Sequence, residues 1–205
     1  MKKGAETRER LLTIAESAIL AKGFGATSIE ELITEAEITK SGFFYHFRDK
    51  TELARALVIR YLEHDEVLLN DLFTRARELN EDPLHALLIG LKLMAEMMAD
   101  LPEGHPGCLV ATICYQERLF DRDIHELTRN GALAWRERFV AMLEEISEMY
   151  PPNDDVNLEE VADLISTIVE GGIIMSKALK EPEKLAAQVM LLRSYIKLLF
   201  SPRLA

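Results

Sequence analysis

Thr27–Leu53 reads TSIEELITEAEITKSGFFYHFRDKTEL, and this stretch decides the fold. Thr27 with Glu30 has the spacing of a capping box, in which a side-chain oxygen accepts from an orphan backbone N–H and the carboxylate reaches back. Asp49 with Glu52 repeats the device before the next helix. Between them, Thr39 stands before Lys40-Ser41-Gly42-Phe43-Phe44-Tyr45-His46-Phe47, a segment too short to persist as a helix alone in water. Packing on neighbours must hold it. Phe43 and Phe47 lie one turn apart and supply the grip, leaving Lys40, Ser41, Tyr45 and His46 on the outer side. A short helix carried by two others, with its polar side free, is what reading DNA requires.

Helical patterns extend outward from this stretch in both directions. Residues 5–22 place Leu11, Ile14, Ala15, Ala18 and Ile19 on one stripe, and Gly23 ends that helix. A second helix over 28–35 turns Ile29, Leu32, Ile33 and Ala36 inward, and Glu37-Ile38 connects it tightly to the third. A long helix then runs from Lys50 to Leu79 through Leu53, Leu57, Tyr61, Leu68, Leu72 and Phe73. Asn80-Glu81-Asp82-Pro83 breaks it, and Pro83 suits the first turn of a helix over 83–100. Leu84, Leu87, Leu88, Leu91, Met94, Met97 and Met98 make that helix apolar nearly all round, which predicts burial. Loops at 101–107 and 151–155 bracket helices over 108–118 and 121–149. Asn157 with Glu160 caps the penultimate helix, Pro182 opens the last, and Ser201-Pro202 closes it. Period-two alternation between hairpin turns is absent, so the expected fold is all-α with about nine helices. The predicted domains are a three-helix head over 1–50 and a helical body over 51–205, joined within a continuous helix.

Composition narrows the classes. The 205 residues are 48% hydrophobic, ample for a buried core. No run of eighteen apolar residues exists, so no membrane span is expected. Glu6 and Glu9 interrupt anything resembling a signal core, and the expected location is cytoplasmic. The net charge of −11 is unevenly spread: residues 1–50 hold eight basic and eight acidic side chains, residues 51–205 sixteen and twenty-seven. An acidic body with a neutral head can bind DNA locally while the body discourages promiscuous adhesion. Cys108 and Cys114, six apart on one helix, point to different faces and predict no disulfide. Together with His105 and His125 they offer metal donors, at a spacing that matches no metal-site pattern. Nucleophile elbows, phosphate loops and paired catalytic carboxylates are lacking, so neither cofactor nor catalysis is expected.

Lys22-Gly23-Phe24, then Ala26-Thr27-Ser28-Ile29-Glu30-Glu31-Leu32, then TKSGFFYHFRDKTEL from Thr39 resemble the signature of the TetR family of bacterial one-component transcription regulators. Head, linking helix and body agree in order and size, while the specific motifs are confined to residues 7–57. The resemblance implies a helix-turn-helix head, a body that buries a small ligand, and a homodimer built from the last two helices. Carried residue by residue, it implies DNA-facing positions at Thr27, Ser28, Thr39, Lys40, Ser41, Gly42, Phe44, Tyr45, His46 and Lys50. Lys40 and Lys50 would neutralise phosphates, Thr27, Tyr45 and His46 would donate to phosphate oxygens, and Ser41 and Gly42 would let the backbone approach base edges. The implied effector-contacting set is Met94, Met98, His105, Cys114, Tyr115, Trp135, Phe139, Met142 and Met175. Two residues depart from the family pattern. Glu37 stands where the family usually has Gly, and Phe44, where it usually has Tyr, cannot donate to a phosphate.

Two long apolar helices at the end of the chain leave an outward face, and Gly171-Gly172 with Ser176 permit close helix approach. A four-helix bundle across a two-fold axis answers both points. The expected function is therefore a ligand-responsive regulator, a repressor released from a near-palindromic DNA operator by a small molecule. The rival reading is a helical protein-interaction module without DNA binding, whose terminal helices face a different partner.

Overall fold

Every regular element among the described residues is helical. The structure is a computed structural model that describes residues 3–201, with Lys3 described by its backbone alone. In chain order the elements are α1 (Lys3–Lys22), α2 (Ile29–Glu35), α3 (Lys40–His46), α4 (Lys50–Leu79), α5 (Pro83–Ala99), α6 (Leu109–Tyr115), a 3₁₀ turn (Glu117–Leu119), α7 (Arg122–Met149), α8 (Leu158–Leu179) and α9 (Lys184–Phe200). Gly23 ends α1 with φ of 87°, and Thr39 caps α3 by accepting from the Gly42 N–H. Asp49 accepts from the Glu52 N–H at 2.8 Å, while the Glu52 carboxylate reaches back to the Arg48 N–H at 2.7 Å. Asp82 and Pro83 open α5 as the sequence predicts. Asn157 caps α8, but accepts from the Glu159 N–H and not from Glu160. Pro182 lies two residues before α9, and the expected stop at Pro202 falls outside the described residues.

The expected capping box at Thr27 and Glu30 does not form. Thr27 is 1% exposed, and its hydroxyl donates to the Gly23 carbonyl at 3.0 Å. It closes the turn after α1, so capping passes to the next hydroxyl: Ser28 accepts from the Glu31 N–H at 3.1 Å.

The chain divides into two compact units: residues up to His64 with Pro106–Asn130, and Asp65–His105 with Gly131 onward. This division does not coincide with the one expected at residue 50. The reason is visible in the core of the first unit. Leu11, Leu12, Ala15 and Ile19 of α1 meet Leu32 and Ala36 from α2 and its C-cap, and Phe43 and Phe47 of the α3 segment. That nucleus is completed by Leu53, Ala54, Leu57 and Val58 of α4, and by Leu109, Ile113 and Ile124 from α6 and α7. Three helices alone do not close this core.

In the second unit α5 and α8 both pack on α9. Ten of the seventeen residues of α5 are buried, among them Leu84, Leu87, Leu88, Leu91, Met94 and Met98, which agrees with its apolar circumference. On α4, Leu53, Leu57, Leu72 and Phe73 are buried as expected, but Leu69, at 3% exposure, takes the inward place expected of Leu68, which is 43% exposed. Gly172 and Ser176 serve contacts between α8 and α9 within the chain. A Cβ at Gly172 would meet Leu185 at 2.7 Å, and the Ser176 hydroxyl accepts from the Leu185 N–H at 3.0 Å. Gly171 faces open space.

Glu37 occupies the tight connection between α2 and α3 with φ of 51°. A left-handed conformation costs a side-chain-bearing residue about 1–2 kcal/mol. Burying Phe43 and Phe47 in the α3 segment that follows contributes about 1.5–3 kcal/mol each, which outweighs that strain. Glu37→Gly is therefore expected to raise the urea midpoint. The gain should stay below about 1 kcal/mol, because glycine also loses more freedom on folding. A lowered midpoint would show that the Glu37 side chain contributes more than its backbone strain costs.

Candidate nucleic-acid interface

Local chemistry explains why α3 shows a polar side to solvent. Phe43 and Phe47 are 0% and 1% exposed, with ring centroids 5.8 Å apart, and fix which way the seven-residue helix faces. The opposite side carries Tyr45 at 81% exposure and Phe44 at 44%. Phe44 still touches the core edge-on, 5.4 Å from Phe43. Lys40 is well exposed and lies 3.8 Å from the equally exposed Glu30, a loose pair of little energetic weight. Ser41 shares a hydrogen bond with the Thr39 hydroxyl at 2.9 Å, and that hydroxyl also accepts from the N–H of the half-exposed Gly42 at 3.1 Å. His46, half-buried, stacks edge-on against Tyr45 at 5.0 Å. Eight of the ten residues expected at the interface, Ser28, Thr39, Lys40, Ser41, Gly42, Phe44, Tyr45 and His46, are exposed or half-exposed on and beside α2 and α3.

Thr27 and Lys50 do not join them. The Thr27 side chain is buried and committed to the turn, as described above. Lys50 sends its ammonium to the Phe24 carbonyl at 2.5 Å and lies 4.1 Å from the centroid of the Phe24 ring. Burial lowers the pKa of this amine. Arg48, absent from the expected set, is the exposed cation beside α3, with four-fifths of its side chain open to solvent.

A second set of contacts is also missing from the sequence reading. Gln116, just after α6, accepts from the Gly25 N–H at 3.1 Å. Phe120 stacks on Phe24 at 4.6 Å, and Arg55 of α4 pairs with Asp121 and Asp123 at 2.9 and 3.0 Å. The segment after α6 thus clasps the α1–α2 turn and the start of α4. No pattern of period 3.6 could signal these contacts, because they join segments 66 to 96 residues apart.

The residues expected around an effector separate. Met94, Met98 and Phe139 are buried in the second unit, and Trp135 and Met142 are half-buried there. His105 is half-buried in the loop before α6, where burial and the nearby Lys177 lower its pKa. Three candidates are corrected by their placement. Cys114 and Tyr115 lie at the exposed end of α6 in the first unit, Tyr115 at 75% exposure, and Met175 is 47% exposed on α8. The resemblance implied a place around the ligand for all three, but each is exposed in the single chain. One polar residue was overlooked. Asp65 accepts a hydrogen bond from the Trp135 indole, beside Phe139, whose ring meets those of Trp135 and Phe73 edge-on at 5.7 and 5.5 Å. Burial raises the Asp65 pKa, against the opposing effects of the indole N–H and Arg138. Its place four residues before the buried Leu69 was the available signal.

No helix among the described residues is long and apolar enough to cross a membrane. Residues 11–57 match the family model described as bacterial regulatory proteins, tetR family. The chain is 29% identical over 96 residues to the HTH-type transcriptional repressor BepR of Brucella suis, covering 46% of this chain and 44% of that one. The match thus spans less than half of that repressor. A longer similarity, 24% over 178 residues, relates 86% of this chain to 87% of the HTH-type transcriptional regulator YxaF of Bacillus subtilis. Among solved structures, a TetR-family transcriptional regulator from Agrobacterium tumefaciens superposes with a TM-score of 0.80 at 18% identity, covering 97% of this chain and all of that one. The reduced form of Escherichia coli NemR gives 0.78 at 20% identity, with the same coverage. These likenesses extend the shared fold over both units.

Proposed function

We propose that the chain is a ligand-responsive, DNA-binding transcriptional repressor of the TetR family, whose model matches residues 11–57. The observation that carries this reading is α3 itself, a helix anchored by two buried rings and polar on the face it turns to solvent. In the proposed complex that face enters the major groove, with Lys40 and Tyr45 on phosphates and Ser41 and Gly42 beside base edges. Phe44 replaces a hydroxyl donor with an apolar edge suited to a thymine methyl or a sugar.

The proposed active form is a homodimer through α8 and α9. Ile174, Met175 and Leu179 of α8, with Leu191, Tyr195 and Leu198 of α9, remain 39–72% exposed in the single chain. An apolar surface of this kind favours burial against a second copy. Two recognition helices would then address half-sites about one helical turn apart. The second unit, with Met94, Met98, Trp135, Phe139 and Met142 on α5 and α7, is the proposed seat of a largely apolar effector. Such a ligand releases DNA only by binding the DNA-incompetent conformation more tightly. α4, one continuous helix from the first unit into the second, is the proposed route of that coupling. Within this reading the protein acts in the cytoplasm, by binding and not by catalysis.

Selection of bound sequences from random duplex DNA tests the proposal. Enrichment of a near-palindrome is the expected result. A folded protein that enriches nothing, and elutes as a monomer, would sink it in favour of a protein-interaction module. Three variants sharpen the reading. Lys40→Ala should weaken binding and reduce the salt slope by about one unit. Tyr45→Phe should weaken binding without lowering thermal stability, since its ring tip reaches solvent. Leu191→Asp should shift gel filtration from dimer to monomer while helicity persists. A dimer that survives this change would place the interface elsewhere.

A further inference from the structure

Arg48 and Lys50 stand two residues apart at the junction of α3 and α4, and their side chains have opposite fates. Lys50 is drawn inward. Its ammonium holds the Phe24 carbonyl at 2.5 Å and covers the Phe24 ring at 4.1 Å, while that ring rests on Phe120 at 4.6 Å. Reaching a phosphate would break this charge-assisted bond and uncover an aromatic face. Arg48 carries no such duty: four-fifths of its side chain is exposed, and it lines a shallow depression of about 410 Å³ with Tyr45, His46 and Glu52.

The neighbouring carboxylates orient this arginine and are themselves engaged. One Asp49 oxygen accepts from the Arg48 Nε–H at 3.1 Å, and the other caps the Glu52 N–H at 2.8 Å. Glu52 is turned to the Arg48 backbone N–H at 2.7 Å. A guanidinium has five donors in a planar fork, so holding Nε leaves its terminal nitrogens for a bidentate acceptor. Phosphate oxygens match that fork, and the adjoining Tyr45 hydroxyl and His46 ring add donors on the same rim.

We infer that Arg48, and not Lys50, neutralises the backbone phosphate flanking the recognition helix, while Lys50 acts as an internal brace between α4 and the α1–α2 turn. This inference rests on the DNA-binding reading above and adds the identity of the phosphate-binding cation. It also ties the clasp formed by Phe120 to the posture of Lys50, since both grip the same residue, Phe24.

The test measures affinity for a short mixed-sequence DNA duplex as a function of salt, using the full-length chain. The wild type should show the log-linear salt dependence of phosphate binding. Arg48→Gln should lower the magnitude of the slope by about one unit, so that the affinity gained between 200 and 50 mM salt shrinks about fourfold. Arg48→Lys should keep most of the slope, because it keeps the charge. Lys50→Gln should leave the slope unchanged and lower the thermal midpoint. An unchanged slope in Arg48→Gln, or a unit lost in folded Lys50→Gln, overturns the inference while leaving DNA binding intact. A wild type that binds no duplex at any salt overturns both readings.

Discussion

Two phenylalanine rings decide how this head meets its surroundings. A seven-residue helix has too few internal hydrogen bonds to offset the entropy of ordering it, so α3 exists only because Phe43 and Phe47 are buried among α1, α2 and α4. The same burial fixes the rotation of the helix. Rotating it by half a turn would bring Tyr45 into the core and Phe43 into water. Stability and presentation are thus one constraint, and the strained backbone at Glu37 is a small cost set against it.

Much of this was legible in the sequence, for reasons that can be named. The extent of α4 is read from caps and breakers at its two ends, and Asp49 and Asn80-Glu81-Asp82-Pro83 leave little freedom. The burial of α5 follows from an apolar circumference, and that of Phe43 and Phe47 from spacing. Errors arose where two residues of one type compete for a role. Thr27 and Ser28 both carry a hydroxyl, and which of them caps α2 depends on where the chain turns after Gly23. Leu68 and Leu69 compete in the same way for one inward position of α4. Gly172 was read as a contact between chains because sequence cannot say which neighbour fills the missing side chain; here it is Leu185.

The candidate interface divides along the same line. Residues on α3 follow from local periodicity and are placed as expected. The side chains of Thr27 and Lys50 are claimed by backbone carbonyls of a turn, a use that helical spacing does not reveal. Contacts from Gln116 and Phe120 join segments distant in sequence, and they explain why the first unit extends beyond the three helices of the head. Asp65 shows the converse: an acid on an apolar stripe is visible in the sequence, and its meaning emerges only beside Trp135.

The most direct measurement is backbone hydrogen exchange at Phe43 and Phe47 in the intact protein. Their N–H groups donate to the Thr39 and Phe43 carbonyls at 3.1 and 3.0 Å. If tertiary grip holds α3, these amides exchange as slowly as those of the core residues of α1, far beyond what a seven-residue helix could achieve alone. Exchange at the rate of an unstructured peptide, with α1 still protected, would contradict the account.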